Sequence, residues 1–329
     1  MGRSRRRRPE ALRHWLWQAV AFAVAGALIL LAFRTTSANL SARGVASGFH
    51  FLEQVARVPV SNASIPFESG VDSYGRALLV GVVNTLKISA AAIVLATVLG
   101  VLVGAGKLAL NPLVRAVCAL YVDVMRNVPV LLHIFLWYMV LLALPGPADA
   151  LQLGDWLLLS NRGLFLPGWL LADGHLVFAM PHVDGLEIVA GTSMSPEYAA
   201  LLVGITTYAA AFVAEIVRGA ILAIPKGQWE AGYAVGLRRG AIFRKIAFPQ
   251  AVRTALPPLT SEYLGIVKNS SLAVAIGYQD LVAVGNSMLF ETGQAIEVMA
   301  IIVAFYIAVS LVVSLAMELA GRRAALPQR

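Results

Sequence analysis

Residues 78–104 read LLVGVVNTLKISAAAIVLATVLGVLVG, with Lys87 as the single charge in the run. A helix needs about 20 consecutive apolar residues to cross the roughly 30 Å hydrocarbon layer of a bilayer. This block is long enough, and its apolar residues are continuous rather than striped at the helical period. Five comparable blocks flank it: Trp15 to Phe33, about Val114 to Leu144, Tyr198 to Ile224, Pro257 to Val284 and Ile296 to Ala320. The pattern predicts an all-α integral membrane protein with about six transmembrane helices.

Composition agrees. The chain is 59% hydrophobic and 13% charged, where soluble domains carry roughly 25% charged residues. The net charge of +8 would suit a nucleic-acid binder if it formed one patch. Instead the bases cluster beside apolar blocks, as in cytoplasmic loops, so nucleic acid is not an expected partner and membrane lipid is. The lone cysteine, Cys118, excludes an internal disulfide and reads as a small packed residue.

The loops give the orientation. The N-terminal segment 1–14 carries Arg3, Arg5, Arg6, Arg7, Arg8 and Arg13 before the run 15–33. A signal peptide also starts this way, but its apolar core is about 7–15 residues. The longer run here favours a retained first helix. The loop 225–256 holds Lys226, Arg238, Arg239, Arg244, Lys245 and Arg253 against one acid, Glu230. The tail 321–329 adds Arg322, Arg323 and Arg329. On the other side, the loop 145–197 holds Asp149, Asp155, Asp173, Asp184, Glu187 and Glu197 against one base, Arg162. Bases mark the cytoplasmic side, so both termini are expected inside. Segments 34–77 and 145–197 are expected outside, the second as a surface or re-entrant element. The membrane domain proper is residues 78–320.

Catalytic patterns are missing. His14, His50, His133, His175 and His182 are scattered without metal-ligand spacing. Gly106-Lys107 superficially resembles a phosphate loop, but Val101 and Leu108 stand where that loop needs glycine and Ser or Thr. No cofactor is expected on this chain. Gly100 and Gly104, four apart in an apolar helix, suit close helix packing.

The most informative loop segment is Lys226-Gly227-Gln228-Trp229-Glu230-Ala231-Gly232-Tyr233-Ala234-Val235-Gly236, followed after a basic run by Ile246-Ala247-Phe248-Pro249. It predicts a short helix over 228–235 with Glu230 in its first turn, where an acid complements the helix dipole. Gly236 stops it. A second short helix is expected through Ile242 and Ile246, limited by Pro249. Ala231, Gly232, Ala234 and Gly236 would let a partner approach closely.

This segment resembles the signature loop of permease subunits of ATP-binding-cassette importers: Glu-Ala-Ala, three residues, Gly, nine residues, Ile, one residue, Leu-Pro. Glu230, Ala231, Gly232, Gly236, Ile246, Phe248 and Pro249 fall at that spacing, with Gly232 in place of the second alanine and Phe248 in place of leucine. Gly81 to Ser89, Arg126-Asn127-Val128-Pro129, Tyr208 to Ile224 and Lys268 to Ala273 are similar to stretches of the polar amino acid importers. His133 stands where a glutamine is usual. The resemblance covers about residues 75–320. The added first helix and long outer loop are similar in layout to general L-amino-acid systems.

The resemblance implies a type I importer permease fold in the bacterial inner membrane. It implies a separate ATP-binding subunit that holds ATP and Mg and seats on Glu230–Gly236. It further implies a second permease subunit and a periplasmic amino-acid-binding protein. The alternative is an ATP-independent secondary transporter or channel.

Charges at mid-bilayer cost about 2.5–3.5 kcal/mol on insertion scales and are functional suspects. Glu215 and Arg218 share a helix face and can form a structural pair or contact substrate. Lys87 can snorkel. Asp123 and Arg126 are expected to pair. Lys268, Ser270 and Ser271 form a polar cluster that lines a path or breaks the helix. Asn84, Glu215, Arg218, Lys268, Ser270 and Ser271 are the candidate substrate-path residues.

Overall fold

The computed structural model describes residues 8–42, 48–172 and 175–323. Residues 1–7 of the basic N-terminal segment, Asp173 of the acidic loop and residues 324–329 of the tail lie outside them. The chain runs α1 (Arg8–Ala42), α2 (Tyr74–Gly106), α3 (Pro112–Asn127) and α4 (Val130–Leu142). A β excursion follows, and then α5 (Pro196–Leu222), α6 (Lys226–Ala234), α7 (Arg239–Ile242), α8 (Phe248–Asn269), α9 (Leu281–Thr292) and α10 (Ala295–Arg323).

The helical membrane fold stands, with corrections to its spans. Three helices, α2, α5 and α10, are each long and apolar enough to cross a membrane. The count is five when two bent pairs are each taken as one span. The apolar stretch of α1, Trp15–Leu28, is shorter, so the expected sixth crossing rests on α1 alone. This helix also runs past the expected end at residue 33. Thr35 donates its hydroxyl to the carbonyl of Leu31 at 2.8 Å, so a polar side chain is satisfied inside the helix.

The block 114–144 is not one straight helix. α3 and α4 meet at 105°, at extended Val128 followed by Pro129. Pro129 has no N–H for the carbonyl of Met125, four residues earlier. His133 supplies it: its Nε2 donates to that carbonyl at 3.1 Å. The block 257–284 is likewise broken. α8 starts earlier than expected and passes through Pro257 and Pro258. It gives way to a 3-10 segment, Ser270–Ile276, which Gly277 ends at φ 79°. α9 then departs at 52°.

The core is the seam between α2 and α5. Gly100 and Gly104 lie against Ala210, Val213 and Ala214; a Cβ on Gly104 would stand 2.7 Å from the Ala214 carbonyl. Gly204 on α5 takes Ile134 of α4 at the same kind of distance. Residues 48–73, read as part of a plain outer segment, instead form a packed cap. Phe51, Ala56 and Val58 are buried with Leu281, Met288 and Val298.

The loop 145–197 is a β excursion. β1 (Leu151–Gln152), β2 (Leu158–Ser160), β3 (Gly163–Leu166) and β8 (Thr192–Met194) form an antiparallel sheet in that order. Two hairpins stand beside it: β4 (Gly168–Ala172) with β5 (His175–Ala179), and β6 (His182–Asp184) with β7 (Glu187–Val189). The strands of this excursion are too short to show as alternating runs in the sequence.

Candidate functional site

The segment after α5 is built as follows. α6 begins at Lys226, two residues before the expected start, so Glu230 sits in the second turn and no acid meets the helix N-terminus. Its end is a Schellman turn: Gly236 at φ 76° donates to Tyr233 at 2.9 Å, and Leu237 to Gly232 at 3.0 Å. A glycine is needed at that φ because a Cβ there is strained. The chain does not then form a separate short helix. α7 flows through a π turn, Phe243–Ala247, straight into α8. The N–H of Phe248 reaches back five residues to Phe243. This wider turn lets the helix pass Pro249 at the start of α8, where the expected reading had it limit the helix.

Gly232 is buried, and a Cβ on it would meet Ile242 at 2.8 Å. It therefore seats α6 on α7, which corrects the expectation that this small residue is exposed. Glu230, Ala231, Ala234 and Gly236 are exposed; Ile246 and Pro249 are half-buried. Trp229 anchors the other side of α6 in an apolar cluster with Ala220 and Ile224 at the end of α5 and Ala247, Ala251 and Ala255 around α8. The exposed face also presents Tyr233 and Val235.

Above this anchor, Glu215 accepts from Arg218 at 2.9–3.0 Å and also from Lys107 at the end of α2. The structural pair is thus a three-residue cluster that ties α2 to α5. The expected Asp123–Arg126 pair is absent among the described residues; Arg126 lies 5.0 Å from the ring centroid of Phe212 instead.

Toward the opposite end, one face of α2 carries a polar lock. Asn84 is fully buried; it donates to the carbonyls of Asn62 at 2.9 Å and Gln279 at 2.7 Å and accepts from the Ser64 N–H at 3.2 Å. Thr85 accepts from the Leu281 N–H at 3.0 Å. Gly81 lets the backbone of Leu281 approach, since a Cβ would stand 2.9 Å from it. The backbone groups freed at the break between α8 and α9 are therefore satisfied by α2, as apolar surroundings require.

At that break, Ser270 donates to Val267 at 2.8 Å and Ser271 to Lys268 at 2.7 Å. Of the two expected roles, both serines stand where the helix tightens to 3-10. Lys268 is exposed and borders a groove of about 390 Å³ against α10, with Ile302, Val303 and Tyr306. The candidate path residues thus fall in three places rather than one: Asn84 in the lock, Glu215 and Arg218 in the ion cluster, and Lys268 to Ser271 at the break.

Sequence reasoning missed Lys107 as the partner of Glu215 and Trp229 as the anchor of α6. A signal existed for the first: a lysine ending one apolar block and an acid near the same end of another can meet. It also missed Asp280, fully buried, whose carboxylate caps α9 by accepting from the Ala283 N–H at 2.8 Å.

Comparison with known proteins places the chain in a family. Residues 96–325 match the family described as the binding-protein-dependent transport system inner membrane component. YhdX of Escherichia coli K12, named as an amino-acid ABC transporter permease, is 36% identical over 97% of this chain and 95% of its own length. The general L-amino acid transport system permease protein AapQ of Rhizobium johnstonii is 35% identical over 95% of this chain and 94% of its own. Among solved structures, an amino acid ABC transporter crystallised with histidines shares 23% identity, a TM-score of 0.56, 76% of this chain and 95% of its own. A structure of the MetNI methionine ABC transporter, facing inward, gives a TM-score of 0.53 at 20% identity over 76% of this chain and 97% of its own. These two likenesses speak to the fold.

Proposed function

Because the chain belongs to the inner membrane components of binding-protein-dependent transport systems, and is a permease subunit of the amino-acid ABC transporter type rather than an enzyme, we propose that α6 is the element through which a separate ATPase drives it. The observation that carries this is the double attachment of α6. Trp229 binds it to the end of α5 and the start of α8, and Gly232 binds it to α7. A displacement of α6 therefore moves two membrane helices together. Its outer face, with Glu230, Ala231, Ala234 and Gly236, is free for the ATPase to grip.

In this reading ATP and Mg sit on the ATPase, a second permease subunit completes the pathway, and a periplasmic binding protein delivers an amino acid to the side of the β excursion. The basic loop 225–256 and both termini face the cytoplasm, which the loop charges support. Lys268, Ser270 and Ser271 stay our proposed path residues. Asn84, Glu215 and Arg218 would join the path only by exchanging their present partners, so within the proposal they are gate elements.

The test is co-purification from the native membrane in mild detergent, wild type beside Ala231→Arg. The expected result is a P-loop ATPase retained by the wild type and lost with the variant, whose exposed site leaves the fold intact. An intact wild-type protein without an ATPase would sink the proposal and leave an ATP-independent transporter as the better reading.

A further inference from the structure

The loop 145–197 is the most acidic part of the chain, with six acids and one base, Arg162. Yet a pocket of about 550 Å³ between this excursion and the membrane helices is lined by Arg162 and Lys87, and by no carboxylate among the described residues. Lys87 is the single charge of its apolar block. The rest of the lining is mostly hydroxyls and aromatic rings, among them Ser64, Ser193, Tyr198 and Tyr278, with Asn62, Ala63 and Met194.

The walls are fixed independently of any ligand. Arg162 sits on the two-residue turn between β2 and β3, held by its own N–H to Ser160 Oγ at 3.2 Å. Asn161 donates to the Pro145 carbonyl at 2.9 Å. Gly163, at φ 130°, allows β3 to press on β8; a Cβ there would collide with the Met194 carbonyl. The facing wall, residues 61–64, is pinned by Asn84 through Asn62 and Ser64. Lys87 Nζ reaches Ser64 Oγ at 3.4 Å and lies 5.0 Å from the ring centroid of Tyr198. It is therefore turned into the pocket rather than along the helix surface, which refines the snorkelling expectation.

Among the described residues neither cation forms an ion pair. Glu197, adjacent in sequence to the pocket-lining Tyr198, accepts from the Asn62 amide at 3.5 Å and pairs with neither cation. Two cations in a preformed cavity with no acid is the arrangement that an anionic ligand completes. The volume fits a small molecule.

We infer that this pocket is a holding site for the carboxylate of a free amino acid, occupied before the molecule enters the path between the helices. The inference rests on the amino-acid importer reading. The same chemistry could come from a carboxylate side chain of the delivering protein, so the test separates the two.

The transporter containing this chain and its partner subunits is placed in nanodiscs without binding protein and given a mixture of ¹⁴C-labelled L-amino acids. Saturable binding is expected. Lys87→Gln and Arg162→Gln should each weaken it about tenfold, the loss of one charge-assisted hydrogen bond. Arg162→Lys should restore most of it, which a merely misfolded variant would not do. Binding unchanged in both glutamine variants overturns the inference. So does wild-type protein that binds no amino acid while the glutamine variants weaken only the docking of the binding protein, since the carboxylate then belongs to that protein. ATP-driven uptake into proteoliposomes is measured alongside. Its absence in the wild type would overturn the importer reading itself, whatever the binding result.

Discussion

α5 and α10 are both apolar enough to cross a membrane, and α10 is the more apolar of the two. Yet 56% of the apolar stretch of α5 is buried inside the molecule against 11% for α10. The difference lies in side-chain size. The buried face of α5 is mostly small, with Ala199, Ala200, Gly204, Ala209, Ala210, Ala211 and Ala214 beside the larger Leu201, Ile205 and Val213. α10 turns Val303, Ile307, Leu311, Val312, Leu315 and Leu319 outward. In lipid no hydrophobic force drives helices together, so close backbone contact through small residues decides which helix is central. Hydropathy tells that a segment crosses; residue volume tells what it crosses against.

Three substitutions test that contrast. Gly104→Leu places a side chain where the Ala214 carbonyl stands 2.7 Å away. Backbone cannot move aside as a side-chain tip can, so a cost of about 3 kcal/mol or more is expected. The measurement is the fraction of monodisperse protein surviving a heating series in detergent, and wild-type survival would break the central-seam argument. Asn84→Ala keeps the α2–α5 seam but strands two carbonyls and one N–H. A loss of roughly 3 kcal/mol follows if each stranded group costs about 1 kcal/mol. The same series should show it, together with faster proteolysis within residues 48–73, which the lock pins. Leu311→Ala on the outward face of α10 should leave the survival curve of the isolated chain where it was, because Leu311 is 66% exposed. A large shift there would mean that α10 is packed as closely as α5.

The contrast also explains how much could be read from residues alone. The apolar blocks and the glycine pair on α2 are local patterns: helices stand at the blocks, two of them broken, and the glycines lie in the α2–α5 seam. The bends are not local. Pro129 and Gly277 mark that something changes, but the 105° turn depends on His133 reaching back to Met125, a side-chain choice made across the break. Pro249 reads as a helix limit, and only the π turn before it removes the clash. Gly232 reads as a contact for a partner, whereas Ile242, ten residues on, already fills that space. The β excursion escaped because strands of two to five residues leave too few alternations to register. The candidate path residues were individually conspicuous as polar groups in apolar blocks, but whether they meet depends on tertiary geometry, and here they fall at three stations.

The bridge from His133 to Met125 bears on how this protein can vary over evolutionary time. An imidazole N–H and a glutamine amide can both donate to a carbonyl, and the family resemblance implies glutamine at this position. What the Met125 carbonyl requires at 133 is a donor of suitable reach, not histidine as such. A lineage that replaced Pro129 would restore the missing amide and release position 133 from that demand. The two sites are expected to drift as a linked pair, with a proline at one accompanied by a donor at the other.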